Sequence, residues 1–308
     1  MLGCMRMHAL VMLAAALGWG APVHLTYLGT AGWQITDGKT VILVDPYFTR
    51  PKMNTPNDAP APDDPRPLVT RNSIVEPDRE VIDAHISRAD FILITHGHPD
   101  HALDMPYIAR KTGATVIGTE STANLARASG VDAAKVRPVK GGEVLDLPGF
   151  QLRVIASLHG IFSRPREGAS PPGPPPQFPA NARPPFPLGQ FAEGGTLAYQ
   201  IAIAGHRIVL FGSMNYIEKE VDGLRPDIAL IGAMPERNNI DDYTPRLMRA
   251  LGYPPVVLPT HWDRFNVPHT VSQQPAIDRL RSFVDEIKAA SPKTKVIVPE
   301  YFKPVTIE

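Results

Sequence analysis

An α/β (α+β) sandwich in a single domain, with two sheets face to face and helices on the outer faces, is the fold this sequence predicts. Three observations carry the prediction. Short runs of alternating or continuous apolar character, too brief for helices, recur between turn residues in both halves of the chain. Each half also holds amphipathic segments of helical length, which suits an arrangement in which two sheets bury their faces together. Finally, 308 residues with 43% apolar content are enough for one sizeable core.

Residues 1 to 20 read as a leader. Arg6 and His8 precede the apolar run Ala9 to Trp19, and Gly18 and Gly20 stand at positions minus three and minus one before Ala21. That is the pattern of a secretory signal, too short for a comfortable membrane span. A periplasmic or secreted protein is therefore expected, with a cytoplasmic one the alternative if the segment is not a signal. Cys4 is the only cysteine, so an intrachain disulfide and a cysteine metal site are both excluded.

From Val23 to Tyr27, Trp33 to Thr36 and Thr40 to Val44 the pattern gives three strands, broken at Gly29, Gly32 and Asp37-Gly38, and the Asp-Gly pair signals a hairpin. Asp45-Pro46 ends the third strand and opens a proline-rich loop running to about Pro67. Arg79 to Arg88 reads as a helical segment, Phe91 to Thr95 as a buried strand and Ala102 to Lys111 as an amphipathic stretch. Ala114 to Gly118 is strand-like and leads into a helix over Ser121 to Ala128, with Glu120 near its positive end.

In the second half, Gln151 to Ser157 is a strand. A second proline-rich loop follows over about 164 to 187. Thr196 to Ala204 and Arg207 to Phe211 form a hairpin around Gly205-His206, which places His206 in solvent. Asp227 to Ile231 and Val256 to Leu258 are buried strands flanking a helix over Asp241 to Leu251. Ala276, Ile277, Leu280, Phe283, Val284 and Ile287 recur at helical spacing, and Lys295 to Pro299 is a last strand.

Charge and proline content narrow the partners. With 31 Lys plus Arg against 31 Asp plus Glu, no long-range field gathers nucleic acid or an anionic membrane. A small-molecule substrate is expected, with no nucleic acid and no stable membrane insertion after signal removal; the sequence specifies no oligomeric state. The 34 prolines are roughly twice ordinary usage and cluster in the two loops. Proline stiffens such segments, so Arg164 to Pro187 is expected to be an extended lid or wall over a site rather than a linker.

The chemistry is concentrated in Thr95-His96-Gly97-His98-Pro99-Asp100-His101. His96 and His98 stand two apart in extended chain, so their imidazoles can turn toward one point. Pro99 then turns the chain, and Asp100 and His101 begin the next helix and can face a second point. Imidazole with carboxylate suits zinc and similar first-row metals, whereas calcium asks for oxygen ligands. His159 and His261, each at the end of its own apolar strand, supply what the cluster lacks.

These features resemble the metallo-β-lactamase superfamily over about Val23 to Glu308. The matching pieces are Tyr27-Leu28-Gly29-Thr30-Ala31-Gly32, Asp45-Pro46, the His96 to His101 cluster, His159, Val209-Leu210-Phe211-Gly212-Ser213 and Leu258-Pro259-Thr260-His261-Trp262. The opening and closing motifs are most similar to the branch containing ascorbate-phosphate lactonase and N-acyl-ethanolamine phospholipase D. The resemblance implies a four-layer αββα sandwich with metals at one edge. It implies that His96, His98 and His159 hold a first metal and that Asp100, His101 and His261 hold a second. Zn2+ is the expected cofactor, as one or two ions, with Mn2+ or Fe2+ as alternatives. Most hydrolases of that branch place a metal-bridging Asp where this chain has Ser213. A neutral hydroxyl brings no charge to hold two dications together, so the second metal should bind more weakly; a dinuclear centre is not thereby abolished, since subclass B3 β-lactamases also have serine here and bind their second zinc through Asp, His and His.

Such a centre implies hydrolysis by a metal-bound hydroxide, made available near neutral pH because the metal lowers the pKa of its water. Asp100 is then both ligand and catalytic residue, orienting the nucleophile or shuttling its proton. Asp45 is read as fixing a ligand imidazole or, equally, as a turn former before Pro46. Trp262, with Asp263 and Arg264, lines the pocket or packs in the core. Glu236, Arg237 and Asn238 bind a polar substrate group or form a solvated loop. The expected activity is opening of a lactone, lactam or related acyl bond. A phosphodiesterase on the same centre and a non-catalytic metal-binding protein are the alternatives.

Overall fold

The computed structural model describes residues 20–55, 57–162 and 173–308; residues 1–19, where a leader is expected, and the start of the second proline-rich loop lie outside them. The chain opens as a meander. β1 (Val23–Gly29), β2 (Gly32–Thr36) and β3 (Val41–Val44) pair antiparallel, with Leu25 opposite Ile35 and Trp33 opposite Val44. Next comes α1 (Arg79–His85), which starts where the Asp78 carboxylate accepts from the Val81 N–H. β4 (Phe91–Leu93), α2 (Pro99–Ala102), α3 (Met105–Thr112), β5 (Thr115–Gly118), α4 (Glu120–Ala128) and β6 (Val136–Pro138) complete the first half. β3, β4, β5 and β6 run parallel, so the crossovers carry the helices onto the outer face.

The second half repeats the plan. β7 (Val144–Leu147), β8 (Phe150–Ser157), β9 (Thr196–Ile203) and β10 (His206–Phe211) are antiparallel. After α5 (Glu218–Val221), the strands β11 (Ile228–Gly232), β12 (Val256–Thr260) and β13 (Lys295–Val296) join β10 in parallel, with α6 (Tyr243–Ala250) and α7 (Gln274–Ala290) between them. β14 (Pro304–Ile307) crosses back to pair with β1, Val23 opposite Ile307. The resulting sheets have seven strands each, ordered β14-β1-β2-β3-β4-β5-β6 and β13-β12-β11-β10-β9-β8-β7.

Two apolar clusters make four layers of these elements. Leu25, Trp33 and Leu93 of the first sheet meet Leu152, Tyr199 and Ile208 of the second, and the same cluster continues to Leu247 of α6 and Phe283 of α7. Phe91 and Phe150 touch edge to face across the sheets, centroids 5.0 Å apart. On the other face of the first sheet, Leu43 and Ile92 pack against Ile82, Ile108 and Leu125 of the helices. Each such buried side chain contributes roughly 1.5–3 kcal/mol, which is what holds the layers together.

Several local readings need correction. The amphipathic stretch over Ala102 to Lys111 is interrupted, α2 ending at Ala102 and α3 starting at Met105, with the Asp104 carboxylate between them accepting from the N–H groups of Phe48 and Thr49. The β9–β10 turn is Ala204-Gly205, both with positive φ, so His206 falls inside β10 and is buried rather than in solvent. Lys295 to Pro299 forms strand only at Lys295–Val296. Among the described residues no helix is long and apolar enough to cross a membrane.

Candidate metal centre

Three strand ends converge at one edge of the sandwich. β4 stops at Leu93, and Thr95 to His98 leave the sheet beneath the backbone of residues 192 and 193. Gly97 is required there: its N–H donates to the Glu193 carbonyl at 2.8 Å, and a Cβ would lie 2.2 Å from the Ala192 oxygen. Pro99 starts α2, which places Asp100 and His101 in a single turn. His159 follows β8 and His261 follows β12. The His261 backbone is left-handed, φ 49°, a costly conformation for a side-chain-bearing residue, held by its N–H donating to the Thr30 carbonyl at 2.5 Å.

The six side chains form two groups of three, the donor atoms within each group lying within 4.8 Å of one another: His96, His98 and His159, then Asp100, His101 and His261. In the first group the ring centroids are 4.9, 4.8 and 4.7 Å apart, close to an equilateral triangle. In the second, Asp100 Oδ2 is 3.5 Å from His101 Nε2 and 3.3 Å from His261 Nε2. Donors about 2.0–2.1 Å from a tetrahedral ion stand about 3.3–3.4 Å from each other, so this spacing suits a first-row divalent metal. Both groups draw two residues from the 96–101 loop and one from the second sheet.

The nitrogens are also prepared for an ion. His96 Nδ1 lies 3.2 Å from Thr95 Oγ1, while its Nε2 is buried with no hydrogen-bond partner. His159 Nδ1 is 2.8 Å from the Gly160 carbonyl, which leaves Nε2 for the cluster. His101 Nδ1 is 2.8 Å from Asp45 Oδ2, with the same result. An orphaned buried nitrogen among three imidazoles is costly without a partner, and a cation supplies it.

Electrostatics separates the groups. Burial, reinforced by neighbouring imidazoles, pushes the pKa of His96 far down and that of His98 down to about 4, and burial also lowers His159. The first triad is thus unprotonated near neutrality, as metal ligation requires. His101 is the reverse: burial opposes its charge, but Asp100 and Asp45 on either side hold its pKa at about 10. Burial likewise opposes the Asp100 carboxylate, and His101 and His261 outweigh it, keeping that carboxylate well below its usual range.

Asp45, fully buried with φ 42°, accepts from Thr95 N at 2.7 Å and Thr95 Oγ1 at 2.5 Å as well as facing His101. Of its two sequence readings, the structure places it against a site imidazole. Gly212 leaves room for this network, since a Cβ there would lie 2.1 Å from Thr95 Oγ1. Ser213 Oγ accepts from Gly160 N at 2.9 Å, so the hydroxyl ties down the loop beside His159. Trp262 belongs to the core: it is buried and stacks on Tyr27 with centroids 5.9 Å apart, away from the cavity wall. Asp263 beside it is sequestered in a buried ion pair with Arg50.

A cavity of about 180 Å³ opens over both groups, walled by Phe162, Phe265, Met53, Met214 and Met234, with Glu236 among them. No local pattern signals these apolar walls, because they come from five separate loops. A wider cleft of about 590 Å³ adjoins it at His98, bounded by Arg71, Glu193 and Pro176. The described part of the second proline-rich loop therefore borders this cleft, anchored where Phe178 N donates to Ser121 Oγ at 2.7 Å.

Comparison with known proteins agrees with this architecture. Residues 24–261 match the family model of the β-lactamase superfamily domain. A UPF0173 metal-dependent hydrolase of Heliobacterium modesticaldum is 32% identical over 138 residues, 45% of this chain and 46% of that protein. One from Thermoplasma volcanium is 25% identical over 78% of this chain and 89% of its own length. The matched stretch thus spans about half the length of the first curated relatives, and most of the last. Among solved structures, Igni18, a metallo hydrolase from Ignicoccus hospitalis, superposes with TM-score 0.55 at 18% identity, over 93% of this chain and 99% of its own. An isothiocyanate hydrolase from Delia radicum gut bacteria gives 0.54 at 15%, over 93% and 98%. CmlA, a diiron β-hydroxylase from Streptomyces venezuelae, gives 0.55 at 15%, over 93% of this chain and 54% of that one, so the fold alone does not dictate the reaction. With a family model covering most of its length and two mixed sheets between outer helices, the chain belongs to the β-lactamase superfamily and has the metallo-β-lactamase fold.

Proposed function

We propose that the protein is a zinc-dependent hydrolase of lactones, lactams or related acyl bonds. The observation that carries this reading is the pair of three-residue groups facing one cavity, with the Asp100 carboxylate between two imidazoles. His96, His98 and His159 would hold one ion; Asp100, His101 and His261 would hold the other. Metal bound there would polarise a substrate oxygen and make hydroxide available near pH 7. Asp100 faces the cavity and retains some exposure, 16%, so it would orient an attacking water or shuttle its proton. Asp45 would keep His101 in the tautomer whose Nε2 faces the ion.

The walls favour an acyl substrate over a phosphodiester. Phe162, Phe265 and three methionines surround the cavity, and no Lys or Arg is among its described lining residues. The relatives named metal-dependent hydrolases support the reaction class. Export by residues 1 to 20, and a specificity-setting role for the loop over 164 to 187, remain part of the proposal on sequence grounds.

The test is a panel of lactones, β-lactams and bis-nitrophenyl phosphate, assayed with zinc, manganese or iron added. Hydrolysis of acyl compounds, abolished together with metal retention in His98→Ala, is the expected result. Turnover of the phosphate alone would replace the acyl reading with a phosphodiesterase. A purified protein that holds no metal and gains no activity on reconstitution would make it a non-catalytic member.

A further inference from the structure

Glu236 is a buried carboxylate that the chemistry above does not use. It sits in the short 3-10 turn Pro235–Asn239 after β11, is only 5% exposed, and lines the same cavity as His96, Asp100 and His261. Its Oε1 accepts from Asn57 Nδ2 at 2.8 Å, but its Oε2 is buried with no hydrogen-bond partner. Arg237, next in the chain, pairs with Glu286 and Ser282, and Arg264 and Arg279 pair with Asp58, next to Asn57. Among the described residues no cation stands within ion-pair distance of Glu236.

A purely structural role does not account for a carboxyl group here. Holding Asn57 uses one oxygen and could be done by a neutral amide, whereas a carboxyl oxygen left without a partner at a cavity wall is expensive. No described residue supplies the missing partner; a donor that enters the cavity would do so, and a cationic donor is the strongest match for a carboxylate. The neighbouring Phe162 and Phe265 rings and methionine side chains suit an alkyl stem carrying such a cation.

We propose that Glu236 is a recognition residue that selects substrates bearing a protonated nitrogen group, an ammonium or a guanidinium, on an apolar stem. The substrate class, a cationic acyl compound, rests on the acyl-hydrolase reading; the preference of the cavity for a protonated nitrogen does not.

Calorimetric titration of the full-length, zinc-loaded protein at pH 7 tests it, with n-butylammonium, n-butylguanidinium and n-butanol as probes. Guanidinium stays protonated and does not ligate zinc, so it separates recognition by Glu236 from amine binding to metal. Wild type should bind at least one of the cations about ten- to a hundredfold more tightly than Glu236→Gln does, while butanol is unaffected. Which cation shows the effect identifies the nitrogen group. Equal binding of cations and butanol by wild type overturns the proposal, and this comparison needs no variant to fold. So does an unchanged cation preference in a Glu236→Gln protein with normal zinc content and circular dichroism. Parallel hydrolysis of α-amino-γ-butyrolactone and γ-butyrolactone keeps the two readings apart. Cation binding without turnover of any acyl compound sinks the hydrolase reading and leaves Glu236; turnover without cation preference does the opposite.

Discussion

Replacing Asp45 by Asn tests how the second group is held. The carboxylate accepts two hydrogen bonds from Thr95 and faces His101 Nδ1 at 2.8 Å. Asn keeps the shape and one acceptor for Thr95 N. Its amide N–H₂, however, replaces the oxygen that accepts from the Thr95 hydroxyl and faces His101 Nδ1, and a donor there favours an unprotonated Nδ1 with the proton on Nε2. His101 loses the acceptor that fixes Nε2 toward Asp100 and His261, so the site must be reset each time an ion binds. Loss of an orienting partner of this type costs about 10- to 100-fold in metal affinity, or about 1.4–2.7 kcal/mol. The first triad should change less, because Asp45 touches none of its side chains and reaches His96 through Thr95, whose Oγ1 lies 3.2 Å from His96 Nδ1, and through the His101 ring, 3.9 Å from that of His96. Zinc competition against a chromophoric chelator, with metal counted by mass spectrometry, should show one tight ion retained and the second weakened. A second-ion affinity within about threefold of wild type would refute the reasoning, as would equal loss of both ions, since the orienting role predicts a difference of at least about tenfold.

Two further outcomes concern stability. Arg50 and Asp263 are both fully buried and 2.8 Å apart, with Tyr301, Tyr27 and Thr30 also donating to the carboxylate; Arg50→Met should strand that charge and cost about 3–5 kcal/mol in urea unfolding, and a loss below about 1 kcal/mol would show that the remaining donors suffice. Asp104 gives a pH dependence: burial, outweighing hydrogen bonds from Thr49 and from the backbone of Phe48 and Thr49, pushes its pKa up to about 6. An unfolded Asp titrates at about 3.9, so between about pH 4 and 6 the native state binds more protons, and this group's stabilisation is lost as pH rises through 6. Relative to Asp104→Asn, wild type should lose about 2 kcal/mol between about pH 4.5 and 7.5; parallel pH profiles for the two proteins would overturn the assignment.

How much was legible in the sequence depended on whether the deciding interaction was local. The β2–β3 hairpin announces itself through Asp37-Gly38, and α7 through its apolar period, because turn conformation and amphipathicity are near-neighbour properties. The six histidine and aspartate side chains were legible as a set from spacing and strand ends, and the structure draws them into two groups. β6, β7 and β14 escaped notice because they are strands of three or four residues at or beside sheet edges. The break before α3 depends on Asp104 reaching residues 48 and 49, and the fate of Asp263 depends on Arg50. Both are contacts across dozens of residues that no local pattern encodes. Glu236 was visible as a polar residue after a strand, but its unsatisfied oxygen becomes apparent only once Asn57 of the first proline-rich loop lies beside it.

The two-to-one division of each triad makes an ion here a clasp between the halves of the chain. Before the sheets dock, the 96–101 loop offers only His96 with His98, or Asp100 with His101, and the third donor is still on an undocked strand. A metal at a hundred times its dissociation constant would then add about 2.7 kcal/mol per site to the docked state alone. Chelation should therefore loosen the seam between the sheets as well as silence the chemistry, and the protein's capacity to retain metal is a direct readout of whether its two halves have come together.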